Sequence, residues 1–366
     1  MEETLASLAR VFFVNTSLKT YLYYCCLTSY DLIPHKHTSK YQNADRLHFD
    51  IVLLLSKKSM NILEFFELFP NEESCRAYFR SVREKEGVVC KKCGEDHHWW
   101  LKAKWQWQCS SCNFRTTLRS GTMMESSNLP LMVWFKAMAL MSFSKKGLSA
   151  CELSRQLGGK RYETVWSLMH KIRKGMGNRD SRYRLADMME FDEGYFVTET
   201  SKKEHQETKA GRGSNRVQNV AVLAESTALE DLKTGKVSRH CRYFKMKVFE
   251  DHAAEGVDQF LKESIYDKSI VFSDQSTSYV NIADYVDVHI SEKSSEETTT
   301  QTLKWVHIAI SNAKRTLLGI YHKIKGKYLQ LYLDEFCYKL NRRYFGEKLF
   351  DRLVIAVSDK YRYDCE

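Results

Sequence analysis

Two groups of residues in this chain have the types and spacing of chemistry. The first is a set of thiols. The stretch "CKKCGEDHHWWLKAKWQWQCSSC" carries Cys90, Cys93, Cys109 and Cys112 as C-x2-C, fifteen residues, C-x2-C. Two residues between cysteines let both sulfurs of a knuckle reach one tetrahedral zinc ion, and a second knuckle completes the shell. No position stays open for a substrate, so the expected ion is a structural Zn2+. His97 and His98 then read as solvated loop residues. The second group is carboxylate. Glu190, Asp192 and Glu193 are threaded through "MMEFDEGYF", and Asp274 ends the apolar run "IVFSD". Acids seldom enter such strands unless something pairs with them. Each acid alone reads equally as a solvated or ion-paired residue. Two of them on neighbouring strands offer hard oxygen ligands for a divalent cation, the device with which phosphoryl-transfer enzymes activate an attacking oxygen.

The elements that position these residues follow from periodicity. Trp99, Leu101, Ala103, Trp105 and Trp107 alternate with mostly polar residues, so a hairpin should carry a cysteine knuckle at each end. In an extended 188–196, Asp192 shares a face with Glu190 and Gly194, while Glu193 shares the other with Phe191 and Tyr195. Asp192 is the expected site residue, Glu190 the same-face alternative. Further strands are expected at 219–225, 239–250, 269–274 and 285–291. Helices are expected at "AAEGVDQFLKESI" and over 302–324. Three strands, a helix, two strands and a helix form an α/β order that suits a ribonuclease H-like sheet, among other folds.

Ahead of the sheet the pattern is helical. Ile62, Phe65, Phe66 and Phe69 share a helical face before Pro70, and a second helix starts near Glu73. The run 129–144 is a strongly apolar helix. Ser149 with Glu152 has capping-box spacing, Gly158-Gly159 makes a turn, and Val165, Met169, Ile172 and Met176 line a further helix. This pair reads as helix-turn-helix-like or as a plain helical hairpin. Its Lys160, Arg161, Lys171, Arg173 and Lys174 are candidate DNA contacts, as are Arg212 in the basic loop 201–216, Arg315, Arg342 and Arg343. The expected organisation is an N-terminal extension at 1–59, either dispensable or an ordered arm. A helical lead-in follows at 60–84, then a zinc ribbon at 85–122 and a helix-turn-helix-like DNA-binding region at 128–180. A ribonuclease H-like catalytic domain spans 185–350, and a C-terminal tail covers 351–366.

Composition agrees with a globular, nucleic-acid-facing chain. The 366 residues carry a formal charge of +10, 43% hydrophobic residues and only three prolines. The positive excess favours a polyanionic partner. The 11 cysteines are an odd number and mostly scattered, which suits a reducing compartment. No apolar run approaches the ~18 residues that span a bilayer, so no membrane partner is expected.

Several stretches together resemble one family. These are "NILEFFELFPNEESCRAYFRSVREKEGVVCKKCG", "CSSCNFRTTLRSGT", "EFDEGYF", "VFSDQSTSY", "VHIAISNAKRTLLG" and "YLQLYLDEFCYKLNRR". They look like the ISXO-type insertion-sequence transposases, relatives of the eukaryotic Merlin elements, over residues 60 to about 350. The resemblance implies a DDE-type transposase with a ribonuclease H-like catalytic domain. It implies end cleavage and strand transfer dependent on Mg2+ or Mn2+. It also implies double-stranded DNA partners (terminal repeats and target), a homo-oligomeric active complex, and a bacterial cytoplasmic, nucleoid-associated setting. By motif, Asp192 and Asp274 are implied metal ligands and Asn312 the third, with Lys314 following. An Asn offers a weaker neutral oxygen, so Asp334 and Glu335 stand as substitute acids. A catalytically inactive relic or a DNA-binding regulator is the competing reading. On a regular helix Lys314 lies well round from Asn312, whereas Arg315 lies nearer. His307 reads as packed or DNA-bound.

Overall fold

A computed structural model describes residues 60–199, 217–230, 237–249, 254–267, 269–275, 282–293, 295 and 298–359. The extension 1–59 and the loop 201–216, with Arg212, lie outside the described residues.

Two short helices open the described chain: α1 (Ile62–Leu68) and α2 (Glu72–Glu86). Each starts on an asparagine whose side chain accepts from backbone N–H groups of the first turn. The three-stranded antiparallel sheet of β1 (His98–Leu101), β2 (Gln106–Cys109) and β3 (Arg115–Thr117) follows. Three helices come next: α3 (Leu131–Phe143), α4 (Ala150–Gln156) and α5 (Tyr162–Ser181). Glu72 accepts hydrogen bonds from the first two N–H groups of α3, at 2.9 and 2.8 Å, so α2 fixes where that apolar helix begins. The four α5 residues read as an apolar face, Val165, Met169, Ile172 and Met176, are all buried.

The second layer system is a five-stranded sheet of order β6–β5–β4–β7–β8. Its strands are β4 (Met188–Val197), β5 (Val217–Glu230), β6 (Val237–Phe249), β7 (Ile270–Asp274) and β8 (Val288–Glu292). The first three pair antiparallel; β7 is parallel to both β4 and β8. One face packs on α7 (Lys304–Ile320) and α8 (Leu329–Asn341) through Val220, Val222, Phe244, Val306, Ile310, Leu317 and Leu333. The other packs on α6 (Ala254–Ser264) through Phe191, Leu223, Val257, Leu261 and Val271.

The end of the chain corrects one expectation. Residues 351–366 were expected as a tail, yet α9 (Leu349–Ser358) is a core helix with Phe350, Leu353, Val354 and Val357 fully buried. Its spacing of i, i+3, i+4, i+7 is that of an apolar helix face. Phe350 joins Phe65, Phe69 and Phe135 in an aromatic cluster, and the Tyr78 hydroxyl donates to Asp351 at 2.6 Å. The helical body is thus closed by residues from both ends of the described chain.

Candidate active site and zinc centre

The four cysteines converge. Their sulfurs all lie within 4.8 Å of one another, with Cys90–Cys112 and Cys93–Cys109 at 3.5 Å and Cys93–Cys112 at 3.4 Å. A disulfide would need about 2.05 Å. Thiolates around tetrahedral zinc, at ~2.3 Å from it, stand about 3.8 Å apart, so this donor set fits the ion. Two equivalent turns produce it: Gly94 N–H donates to Cys90 O, and Asn113 N–H to Cys109 O. Gly94 and Asn113 both sit at positive φ, +78° and +59°, where Gly and Asn are the favoured types. The hairpin is also fastened to α2. Trp107 Nε1 donates to Glu84, and the Arg80 guanidinium stacks on Trp100 at 4.2 Å.

The acidic centre is built by the way α7 lies along β4. Glu190 is fully buried, and its Oε2 accepts from the N–H groups of Trp305 and Val306, at 2.6 and 3.1 Å. It therefore caps the first turn of α7 and favours the positive end of the helix dipole. Two residues along the strand, His307 Nε2 stands 3.6 Å from Asp192 Oδ2. Two residues further, Gly194 lies so close to Ile310 that an added Cβ would meet it at 3.2 Å. Two more, Lys314 Nζ sits over the Phe196 ring at 5.6 Å. Strand and helix run together, pair by pair.

Asp274 comes from the neighbouring parallel strand. The last paired residues of β4 and β7 are Phe191 and Ser273, so Asp192 and Asp274 stand side by side one step beyond. Burial pushes the Asp192 carboxyl up to about 7. The hydrogen bond from Glu193 N–H opposes this, the charges of Asp274 and Glu193 reinforce it, and Lys314 opposes it. Burial likewise lowers His307, with the Asp274 charge pulling the other way. Two carboxylates on adjacent strand ends are hard oxygen donors of the kind a divalent cation takes, although the Asp192 and Asp274 oxygens and a His307 nitrogen do not all lie within 4.8 Å of one another, as the ribbon sulfurs do.

Several expected residues fall elsewhere. Asn312 lies about 140° round α7 from His307 at 100° per residue. It is half-buried, and its Oδ1 accepts from Arg315 Nη2 at 2.8 Å. The helix is regular, and Lys314, seven residues after His307, returns to within about 20° of it. His307, read from the sequence as packed or DNA-bound, stands against Asp192, and its i, i+7 relation to Lys314 puts the two on one helix face. Glu190 is a helix cap. Glu193, on the opposite face, accepts from Asn219 at 2.6 Å. Asp334 is half-buried and Glu335 buried between α8 and α5: Asp334 lies against Gly177, and Glu335 pairs with Arg173 and Lys339, both at 2.8 Å.

The basic candidates divide the same way. Lys160 and Arg161 are exposed at the start of α5; Arg315 and Arg343 are exposed as well. Arg173 is corrected: it is 1% exposed and holds Glu335 and the Tyr321 hydroxyl, so it cannot face DNA. Arg342 is corrected too, since it is buried on the Tyr338 ring with its guanidinium 2.6 Å from Asp180. Lys171 and Lys174 are half-buried, and Lys171 donates to Glu125 O at 3.2 Å. No helix among the described residues is long and apolar enough to cross a membrane.

Two family models match stretches of the chain. Residues 70–115, which hold all four ribbon cysteines, match the model of the transposase zinc-ribbon domain. Residues 184–341, which hold Asp192, Asp274 and His307, match that of the ISXO2-like transposase domain. No curated protein matches the chain. With its zinc ribbon ahead of its DDE domain, the chain belongs to the IS1595 family of DDE transposases.

Proposed function

We propose that this transposase binds the terminal repeats of its element, cuts the DNA there and joins the freed ends to target DNA. The observation that carries the reading is the side-by-side placement of Asp192 and Asp274, with His307 of α7 against Asp192. In this reading Asp192, Asp274 and His307, in place of Asn312, hold Mg2+ or Mn2+. When bound, that cation supplies the charge that activates the attacking oxygen and stabilises the leaving one. The chain's own residues do the rest. Glu190 and Gly194 set the distance of α7 from β4. Lys314 offers a positive charge beside Asp192 for a scissile phosphate. The antiparallel–parallel strand order and the placement of the acids support a ribonuclease H-like catalytic domain. The exposed Lys160 and Arg161 suit phosphate contacts from the helix-turn-helix-like region. Pairing two element ends calls for a homo-oligomer.

The test is cleavage and joining of a terminal-repeat duplex with Mg2+ or Mn2+. Asp192→Ala, Asp274→Ala and His307→Ala should each lower the rate by at least about a hundredfold, near 3 kcal/mol of barrier. Duplex binding and the melting temperature should stay near those of the parent. Undiminished cleavage in either aspartate variant overturns the reading. A fall with Asp192→Ala but not with His307→Ala removes only the histidine.

A further inference from the structure

One charged feature is used by neither centre. After α7 the chain runs through His322, Lys323, Ile324, Lys325, Gly326, Lys327 and Tyr328 before α8 begins. Lys323, Lys325 and Lys327 are exposed, while Ile324 is 7% exposed and belongs to the core under the sheet. Lys323 and Lys325 flank Ile324 in extended chain and turn out where the isoleucine turns in, and Lys327 follows in the short 3-10 turn Gly326–Tyr328.

The segment is pinned on both sides. Glu199 N–H donates to Ile324 O at 2.7 Å, and Glu199 and Lys325 form a parallel bridge that prolongs the line of β4. An added Cβ on Gly326 would meet the Gln218 side chain of β5 at 3.1 Å. At the other end Tyr328 packs edge-on against Trp166 and His170 of α5, at 4.9 and 5.0 Å. The lysines therefore sit on a fixed bridge between α5, just ahead of which stand Lys160 and Arg161, and the strand that carries Asp192. Among the described residues no ion pair joins any of the three to a carboxylate. Three like charges held within five residues repel one another until an anion answers them. Because the segment is already ordered, binding would lose little of the entropy that a mobile lysine loop loses.

We infer that Lys323, Lys325 and Lys327 are a phosphate-backbone contact for the element-end duplex, which they carry from the start of α5 toward the acidic centre. The inference rests on the proposed end-binding function and names a surface which that function leaves open.

The experiment measures binding of the full chain to a terminal-repeat duplex and to an unrelated duplex of equal length, over a range of salt. The variant is Lys323→Gln with Lys325→Gln and Lys327→Gln. Its control removes the same charge elsewhere: Lys85→Gln, Lys262→Gln and Lys348→Gln. Each phosphate contact adds ~0.9 to the slope of log affinity against log salt, so three lost contacts should flatten it by about 2 to 3. Terminal-repeat affinity should fall at least about tenfold near 0.1 M salt, and the control variant should keep the parent slope. An unchanged slope in the lysine variant overturns the inference and leaves the end-binding function standing. A loss confined to the unrelated duplex overturns the assignment to the element end. A parent with no salt-dependent duplex binding overturns the function itself, before any variant is made.

Discussion

The ribbon and the acidic centre gather their side chains in opposite ways. In the ribbon, Cys90, Cys93, Cys109 and Cys112 come from two local turns whose backbone hydrogen bonds already gather the sulfurs within 4.8 Å. The acidic centre draws Asp192, Asp274 and His307 from two strands and a helix, the first and last of these residues standing 115 apart in the chain. Its geometry is inherited from how α7 lies on β4, while the ribbon's geometry is its own. The ribbon should therefore fail when the metal goes, and the acidic centre should fail when distant packing shifts.

The largest effect expected from this contrast is at Cys109. Zinc binding supplies ~10–16 kcal/mol to small structural sites, far more than a three-stranded sheet of this size holds by itself. Cys109→Ser should bring bound zinc from about one per chain to near zero by atomic absorption. The environment of Trp100, Trp105 and Trp107 should open, as read by tryptophan fluorescence. Chelation of the parent should do the same. One zinc retained with unchanged fluorescence would break the comparison on the ribbon side.

The next effect is at Arg173. Removing one member of a buried ion pair strands the other, at ~3–5 kcal/mol. Arg173→Met leaves Glu335 to Lys339 alone, and the melting temperature should drop with bound zinc unchanged. The pH dependence has a definite sign. Burial would raise Glu335, but the charges of Lys339 and Arg173 and their hydrogen bonds outweigh it and hold the carboxyl at about 2. A folded value below the ordinary 4.5 gives stability that is fully present above 4.5 and lost as pH falls from there toward about 2. The gap between parent and variant should be widest near neutrality and close in acid. A gap independent of pH would mean that Arg173 acts by packing alone.

A smaller effect tests how closely α7 must lie on β4. In Gly194→Ala the new methyl meets Ile310 at 3.2 Å. Overpacking of this kind destabilises by ~1–3 kcal/mol. If the helix lifts, His307 leaves Asp192, and DNA cleavage should fall by more than the loss of folded protein explains. A destabilised variant with normal specific cleavage would show that the centre tolerates that movement.

How much of this was legible in the sequence follows from distance along the chain. The ribbon could be read because its ligands are three residues apart in each knuckle. The alternation of β4 separated Asp192 from Glu193 correctly, because period-two geometry is local. What Glu190 does was not legible: it needs the first turn of α7, 115 residues later, to lie on top of it. Arg173 was misread although the signal was present. It sits four residues after Met169 and three before Met176, on the apolar stripe, where only a buried partner could receive its charge. Helix α9 shows its apolar spacing openly from Phe350 to Val357. The helical reading set Lys314 well round from Asn312 and left His307 as packed or DNA-bound, because its approach to Asp192 needs α7 to lie on β4. On that helix the residue that stacks with Lys314 is seven positions back.

The smallest expected effect separates Asn312 from His307 on α7. Asn312→Ala removes a hydrogen bond to Arg315 on the half-buried outer side of the helix. The loss is offset by the higher helix propensity of alanine, so stability should move by no more than ~0.5 kcal/mol. Cleavage of the terminal-repeat duplex should stay within about threefold of the parent, which corresponds to ~0.6 kcal/mol of barrier. His307→Ala should be nearly as inert in the melt and yet lose cleavage along with Asp192→Ala. The contrast is sharp because both residues lie on one regular helix, five positions apart, and neither is a core residue. If Asn312→Ala abolishes cleavage while His307→Ala keeps it, α7 must turn on binding DNA and metal, and the centre would be assembled by its substrates rather than by its packing.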